Sequence, residues 1–161
     1  MKCVWRIVQD KHVASQALQE ALLIVWKQRQ RVEQLPNPEA LVLRICADVS
    51  IDELRKQYRR TTHEEPLSDA HNTPHMGENS PAEEVLRKEL HEEIRKAITM
   101  LPKKQAVAIM MRIVEGYSYS DIADCLGCSD VTVRTHVKRG RLRLATLLNH
   151  LMPVTAGDEL S

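Results

Sequence analysis

The chain has 161 residues, and its 23 basic and 22 acidic side chains leave a formal charge of +1, so net charge by itself names no partner. That length holds one ordinary domain or two small ones. Leu, Ala, Glu, Arg, Lys and Gln are abundant, glycine numbers five and phenylalanine is absent; with no sustained period-two alternation, the expected fold class is all-α. No apolar run approaches the ~18 residues that cross a bilayer, so no membrane insertion is expected, and the charged start Met1-Lys2-Cys3-Val4-Trp5-Arg6 offers no secretory core. Cys3, Cys46, Cys125 and Cys128 are scattered and read as reduced thiols in a cytoplasmic protein.

In chain order, the first apolar series is Val4, Ile7, Val8, Ala14, Ala17, Leu18, Ala21, Leu22, Val25 and Trp26, spaced as an amphipathic helix with a break near Asp10 to His12. Leu35-Pro36-Asn37-Pro38 ends it, since prolines that close cannot both lie inside a helix. A second helix is expected from Pro38 or Glu39 to about Arg60, with Leu41, Ile45, Leu54 and Tyr58 inward and a basic final turn suited to the helix dipole. From Thr61 to Asn79 the periodicity vanishes among Pro66, Ser68, Asn72, Pro74, Gly77 and the histidines His63, His71 and His75, which reads as a flexible linker. Ser80-Pro81-Ala82-Glu83 then combines an N-cap serine, proline at the first helical position and a glutamate after it. The helix it opens carries Val85, Leu90, Ile94 and Ile98 on one face and stops before Leu101-Pro102.

The last stretch is the most informative. Pro102 opens a helix through Val107, Met110, Met111 and Val114 that Gly116 closes; Ser118 caps a short helix bearing Ile122, Ala123 and Leu126. Gly127-Cys128-Ser129 makes a tight turn in which glycine supplies a positive φ. Ser129 caps a long helix through Val131, Val133, Val137, Leu142, Leu144, Leu147 and Leu148. That helix is basic, with Arg134, Lys138, Arg139, Arg141 and Arg143, and no acid occurs between Val131 and Gly157. Two helices joined by a short glycine-containing turn, the second basic on its open face, form the helix-turn-helix that lays a recognition helix in the major groove.

The register of the segment is distinctive: Leu101-Pro102-(x)2-Gln105, then Glu115-Gly116-Tyr117-Ser118-Tyr119-(x)2-Ile122-Ala123-(x)2-Leu126-Gly127-(x)-Ser129-(x)2-Thr132-Val133-Arg134, then Arg139-(x)-Arg141-(x)2-Leu144. It resembles region four of bacterial RNA polymerase sigma factors. In the first half, Ala14-(x)2-Ala17-Leu18-Gln19-Glu20-(x)5-Trp26 is similar to the helix of region two that binds the polymerase clamp. Ile51-Asp52-(x)-Leu54-Arg55-(x)3-Arg59-Arg60 resembles the segment that holds the start-proximal promoter element. Two short helical domains with only a linker between them match the layout of the extracytoplasmic-function group. Against the family pattern, Ala14-Ser15-Gln16 lacks the acids common at the start of the clamp motif. Asp48 replaces a frequent asparagine, and the chain begins late enough that the first helix of region two is expected to be missing.

The resemblance implies a division into a region-two-like domain over 1–60, a linker over 61–79, a four-helix region-four-like domain over 80–150 and a tail over 151–161. It implies a sigma factor that confers promoter specificity on RNA polymerase, with core polymerase and double-stranded promoter DNA as partners and an anti-sigma factor as a further one. On the recognition helix it places Arg134, Thr135, Lys138, Arg139 and Arg141 at DNA, with Ser129 and Thr132 at the positive helix start. In the first half it places Arg55, Arg59 and Arg60 at the start-proximal element, and Gln19, Glu20 and Trp26 at polymerase. From its spacing alone, Trp26 reads as a core residue rather than a polymerase contact.

Thr132-Val133-Arg134-Thr135-His136 also looks like the LuxR-type regulators, so a free-standing operator-binding regulator is an alternative, as is a sigma-like module that only captures a protein partner. Catalysis has no foothold: there is no phosphate-cradling glycine loop, nucleophile elbow or zinc-protease helix. Cys125-Leu126-Gly127-Cys128 supplies half of the ligands a structural zinc requires, and the linker histidines read as polar spacer. No metal, cofactor or enzymatic activity is expected.

Overall fold

Asp10 starts the first of the described helices. In the computed structural model, which describes Val8 and residues 10–63 and 81–151, its carboxylate accepts hydrogen bonds from the amides of His12 (2.8 Å) and Val13 (2.9 Å). Two otherwise unpaired donors are thereby satisfied. Helix α1 spans Lys11–Lys27 and a short α2 spans Arg29–Gln34. The Asn37 side chain then accepts from the Ala40 amide at 3.2 Å, and α3 runs from Pro38 to His63. It extends past the expected end near Arg60, so Thr61, Thr62 and His63 belong to helix; the rest of the expected linker, and the Ser80 cap, lie outside the described residues.

Small side chains set the closest approach in this half. Ala14, Ala17 and Ala21 of α1 are buried against α3, whose Leu41, Ile45, Ala47, Ile51 and Leu54 are buried in turn. Each fully buried leucine or isoleucine contributes roughly 1.5–3 kcal/mol. Ser50 is also fully buried, its hydroxyl donating to the Cys46 carbonyl at 2.7 Å, so that hydroxyl is not left unpaired in the middle of α3.

The second half consists of α4 (Pro81–Thr99), α5 (Lys103–Ile109) continued by a π-helical turn (Met110–Val114), α6 (Tyr119–Leu126) and α7 (Asp130–Leu147), with a 3-10 turn at Asn149–Leu151. The described residues contain helices and no strand, as composition led us to expect. None of these helices is long and apolar enough to cross a membrane.

Helix α3 is shared. One face receives α1 and α2, while other faces meet α4, α5, the π-turn and α6. Ile98, Leu101, Val107, Met110, Met111, Ile122, Val133 and Val137 therefore join the buried residues of α1 and α3 in one cluster. Polar contacts seal the join. Arg55 on α3 donates from Nε to the Thr99 carbonyl (3.2 Å) and from Nη2 to the Leu101 carbonyl (2.6 Å), closing the end of α4. Lys103 lies 2.6 Å from Asp52 and 3.7 Å from Asp48, and the Tyr58 hydroxyl donates to the Glu92 carboxylate. Asn37 donates to Asp121 at 3.2 Å, and Arg31 to the Cys125 carbonyl at 3.3 Å.

Several residues expected inside are outside. Leu22 and Trp26 are 50% and 66% exposed, because the alanine stripe already fills the α1–α3 contact and these side chains lie beyond it. Val85 and Leu90 are exposed as well; only the C-terminal part of α4, with Ile94 half-buried and Ile98 buried, reaches the core. On α7, Val131 and Leu142 face solvent for the same reason, the buried stripe being Val133, Val137 and Gly140.

Candidate DNA-reading site

The site is assembled from its supports upward. Pro102 opens α5, its carbonyl accepting from Gln105 and Ala106 at 2.9 and 3.0 Å. The π-turn widens the end of that helix, with the Glu115 amide bonding to the Met110 carbonyl at 3.1 Å. Gly116, at φ +80°, then reverses the chain, a conformation that costs a residue with a Cβ but not glycine. Ser118 caps α6 in a reciprocal box: its hydroxyl accepts from the Asp121 amide (3.0 Å) and the Asp121 carboxylate accepts from the Ser118 amide (3.3 Å). The Ser118 hydroxyl first, then the Asn37 amide, hold the Asp121 carboxyl below its ordinary range.

Helix α6 ends at Gly127, which sits in the left-handed region at φ +64° and ψ 43°. The Cys128 amide reaches back to the Ala123 carbonyl at 3.1 Å, the bond of a Schellman closure. Ser129 caps α7, accepting from the Thr132 amide at 3.3 Å and sharing a hydrogen bond with the Thr132 hydroxyl at 2.9 Å. The two helices of the motif are thus joined by the turn expected from sequence.

Helix α7 seats itself on α5 through Val133, Val137 and Gly140. The approach at Gly140 is tight: a Cβ there would lie 2.9 Å from Ile109 Cγ1 and 3.5 Å from the Gln105 carbonyl oxygen. With that stripe inward, Arg134, Thr135, Lys138, Arg139 and Arg141 are all exposed on the opposite side, together with Arg143. Ser129 is exposed and Thr132 half-buried at the helix start. Every residue assigned to the upstream element therefore falls on the exposed surface of α7 or its first turn. Thr135 donates to the Val131 carbonyl at 2.9 Å, which leaves its oxygen lone pairs and methyl outward.

Two neighbours went unassigned in sequence. The Tyr119 ring lies under the Arg134 guanidinium, 4.2 Å from the guanidinium carbon to the ring centroid, and the Arg112 guanidinium approaches the same ring at 4.6 Å. Arg112 is itself held by the Tyr117 carbonyl at 2.9 Å. A tyrosine in the first turn of α6 near an arginine of the next helix is the available signal, but reading it requires knowing how α6 and α7 cross. Lys104 is the second: with Arg139 it lies close enough to His136 to disfavour protonation. Burial is the largest cause holding that imidazole below its ordinary range, followed by Lys104 and Arg139.

The residues assigned in the first half divide. Gln19 and Glu20 are exposed on α1. Trp26 is exposed with the Arg29 guanidinium 4.9 Å from its ring, so its reading as a core residue is overturned, while its place on the surface suits a partner. Arg59 and Arg60 are exposed near the end of α3. Arg55, by contrast, is occupied in closing α4, and Asp48 is paired with Arg44 at 2.9 Å. Burial first of all raises the Asp48 carboxyl, with Arg44 and Lys103 acting against it. The Cys125 thiol is pushed up to about 11, chiefly by burial, which makes it a poor nucleophile and ligand at neutral pH.

The family model for sigma-70, region 4 matches residues 91–144, a span that begins within α4 and ends near the end of α7. The ECF RNA polymerase sigma factor SigM of Mycobacterium tuberculosis is 28% identical over 138 residues, covering 86% of this chain and 65% of the relative. The ECF RNA polymerase sigma-E factor of Haemophilus influenzae is 33% identical over 114 residues, covering 68% of this chain and 60% of that protein. Across most of its length the chain is similar to extracytoplasmic-function sigma factors, and residues 91–144 match sigma-70 region 4. The chain spans less than two thirds of the length of those relatives. Its fold is also that of the sigma factor RpoE in the co-crystal structure with the anti-sigma factor NepR from Bartonella quintana. That likeness has a TM-score of 0.55 at 23% identity and covers 92% of this chain and 88% of the other.

Proposed function

We propose that this chain acts as a sigma factor: it recruits bacterial core RNA polymerase to promoters in the cytoplasm and directs transcription initiation, without catalysis of its own. The observation that carries the proposal is the recognition helix. Its exposed basic row stands on a motif closed by the Ser118–Asp121 box, the left-handed Gly127 and the Ser129 cap. In this reading Arg134 donates to a base edge in the major groove and Thr135 meets a base or a thymine methyl. Lys138, Arg139 and Arg141 neutralise phosphates, and Ser129 and Thr132 offer contacts at the positive end of α7. The region-two-like part over 1–60 offers Gln19, Glu20 and Trp26 to polymerase, and Arg59 and Arg60 to the start-proximal element. Arg55 can join them only by releasing the carbonyls of Thr99 and Leu101. An anti-sigma factor is a further partner, a reading supported by the likeness to RpoE in its complex with the anti-sigma factor NepR.

The division of labour over 1–60 and 80–150 makes each half a weak reader, whose joint tethering to polymerase raises the effective concentration of both at the promoter. Arg134→Ala should cost about 1–3 kcal/mol of discrimination at one base pair. Lys138→Ala should weaken all sequences alike and lower the salt slope by about one unit. Competition binding to duplexes substituted one base pair at a time, repeated across salt concentrations, measures both. Equal loss on every duplex for Arg134→Ala would remove the base-reading role.

A further inference from the structure

Arginine side chains have many rotamers, and one that reads a base must be held in a single pose to discriminate. On α7 the neighbours within the helix do not supply that constraint for Arg134, which is exposed and forms no ion pair among the described residues. What supplies it comes from the other helix of the motif: the Tyr119 ring, 4.2 Å from its guanidinium carbon. Tyr119 is in turn fixed from below. Its ring packs on the buried cluster, its backbone is in the capped first turn of α6, and Arg112, anchored on the Tyr117 carbonyl, approaches the same ring at 4.6 Å. The electron-rich ring face attracts a cation while leaving the guanidinium edge, with its N–H donors, directed elsewhere.

We propose, resting on the DNA-reading function above, that Tyr119 is a positioning residue for specificity: it presets the Arg134 guanidinium so that its donors meet one base pair in a fixed pose. Sequence preference at that base pair then depends on a side chain that need not touch the base. The ring, rather than the hydroxyl, is the working part, so the two tyrosine replacements Tyr119→Phe and Tyr119→Leu separate the roles. Leucine preserves apolar bulk over the core but offers no π face; phenylalanine preserves both.

The test uses the full chain. A randomised duplex pool is enriched on the unsubstituted protein, and base preference at every position of the selected site is then measured for Tyr119→Phe, Tyr119→Leu, Arg134→Ala and the Tyr119→Leu/Arg134→Ala pair. Tyr119→Leu is expected to weaken binding by about two- to fivefold, the ratio that a surface cation–π contact converts to. The loss should flatten preference at the same base pair as Arg134→Ala and leave other positions unchanged. Tyr119→Phe should keep that preference, and the pair should bind as Arg134→Ala alone. A purely structural tyrosine would instead lower affinity at all positions and add its full factor on top of Arg134→Ala; either result overturns the proposal. If the unsubstituted protein enriches no sequence at all, the DNA-reading function itself falls, and the positioning role with it.

Discussion

His136 sits on the shoulder of the recognition helix, between the cations of Lys104 and Arg139, with its Nδ1 buried and meeting no hydrogen-bond partner among the described residues. Because its folded pKa is lowered, the unfolded chain binds the proton more readily. This residue's contribution to stability therefore declines as pH falls through the ordinary imidazole range. A DNA phosphate placed against the same cations would reverse the local field and favour the imidazolium. Affinity for a selected duplex should thus rise from neutral to mildly acidic pH, and this rise should vanish in His136→Gln. An unchanged pH profile in that variant would place His136 away from the phosphates. Gly140 offers a purely steric counterpart: the 2.9 Å approach to Ile109 Cγ1 leaves no room for a methyl group. Gly140→Ala should lower unfolding stability by about 1–3 kcal/mol in a denaturant titration, despite alanine's better helix propensity, worth roughly 1 kcal/mol in the opposite direction.

At the level of elements, the helix-turn-helix rests on local chemistry. Gly127→Ala forces a Cβ into the left-handed region and should cost about 1 kcal/mol, while Ser118→Ala removes a capping acceptor at a similar cost. Thermal unfolding of each variant checks the pair; a neutral Gly127→Ala would mean the turn relaxes into another shape. The same locality explains why this element was legible beforehand. Ser118 with Asp121, Gly127 and Ser129 each act on backbone within a few residues, so the caps and the turn could be placed from sequence alone. The inward faces of α1 and α4 were not. Spacing identifies an apolar stripe but not whether a neighbour covers it. Trp26, Val85 and Leu90 fall where neighbouring helices leave the surface uncovered. The Tyr119–Arg134 contact was hidden for a related reason, since it depends on the crossing of two helices rather than on either one.

Across the whole molecule, the least legible feature is the role of α3 as a wall common to both halves. Arg55 reads as a DNA-facing cation from its neighbours in the chain, yet its donors meet carbonyls 44 and 46 residues away. No local pattern announces such a contact. Its energetic weight exceeds that of the exposed ion pairs around it. Removing Arg55 strands two carbonyls and should cost about 1–3 kcal/mol, whereas Lys103, with Asp48 and Asp52, contributes about 0–1 kcal/mol in a partly exposed setting. Comparing the unfolding of Arg55→Ala and Lys103→Ala tests that order, and equal losses would contradict it. The fold class and the exposed basic row of α7 followed from sequence, and the joining of the halves emerged only in three dimensions.

The most direct test of the central claim is to mix the full chain with bacterial core RNA polymerase and follow co-migration by size exclusion at low and moderate salt. A sigma factor forms a stable complex that persists at the higher salt and supports run-off transcription from a defined start. A chain that binds DNA yet never enters a complex with core polymerase would contradict the account.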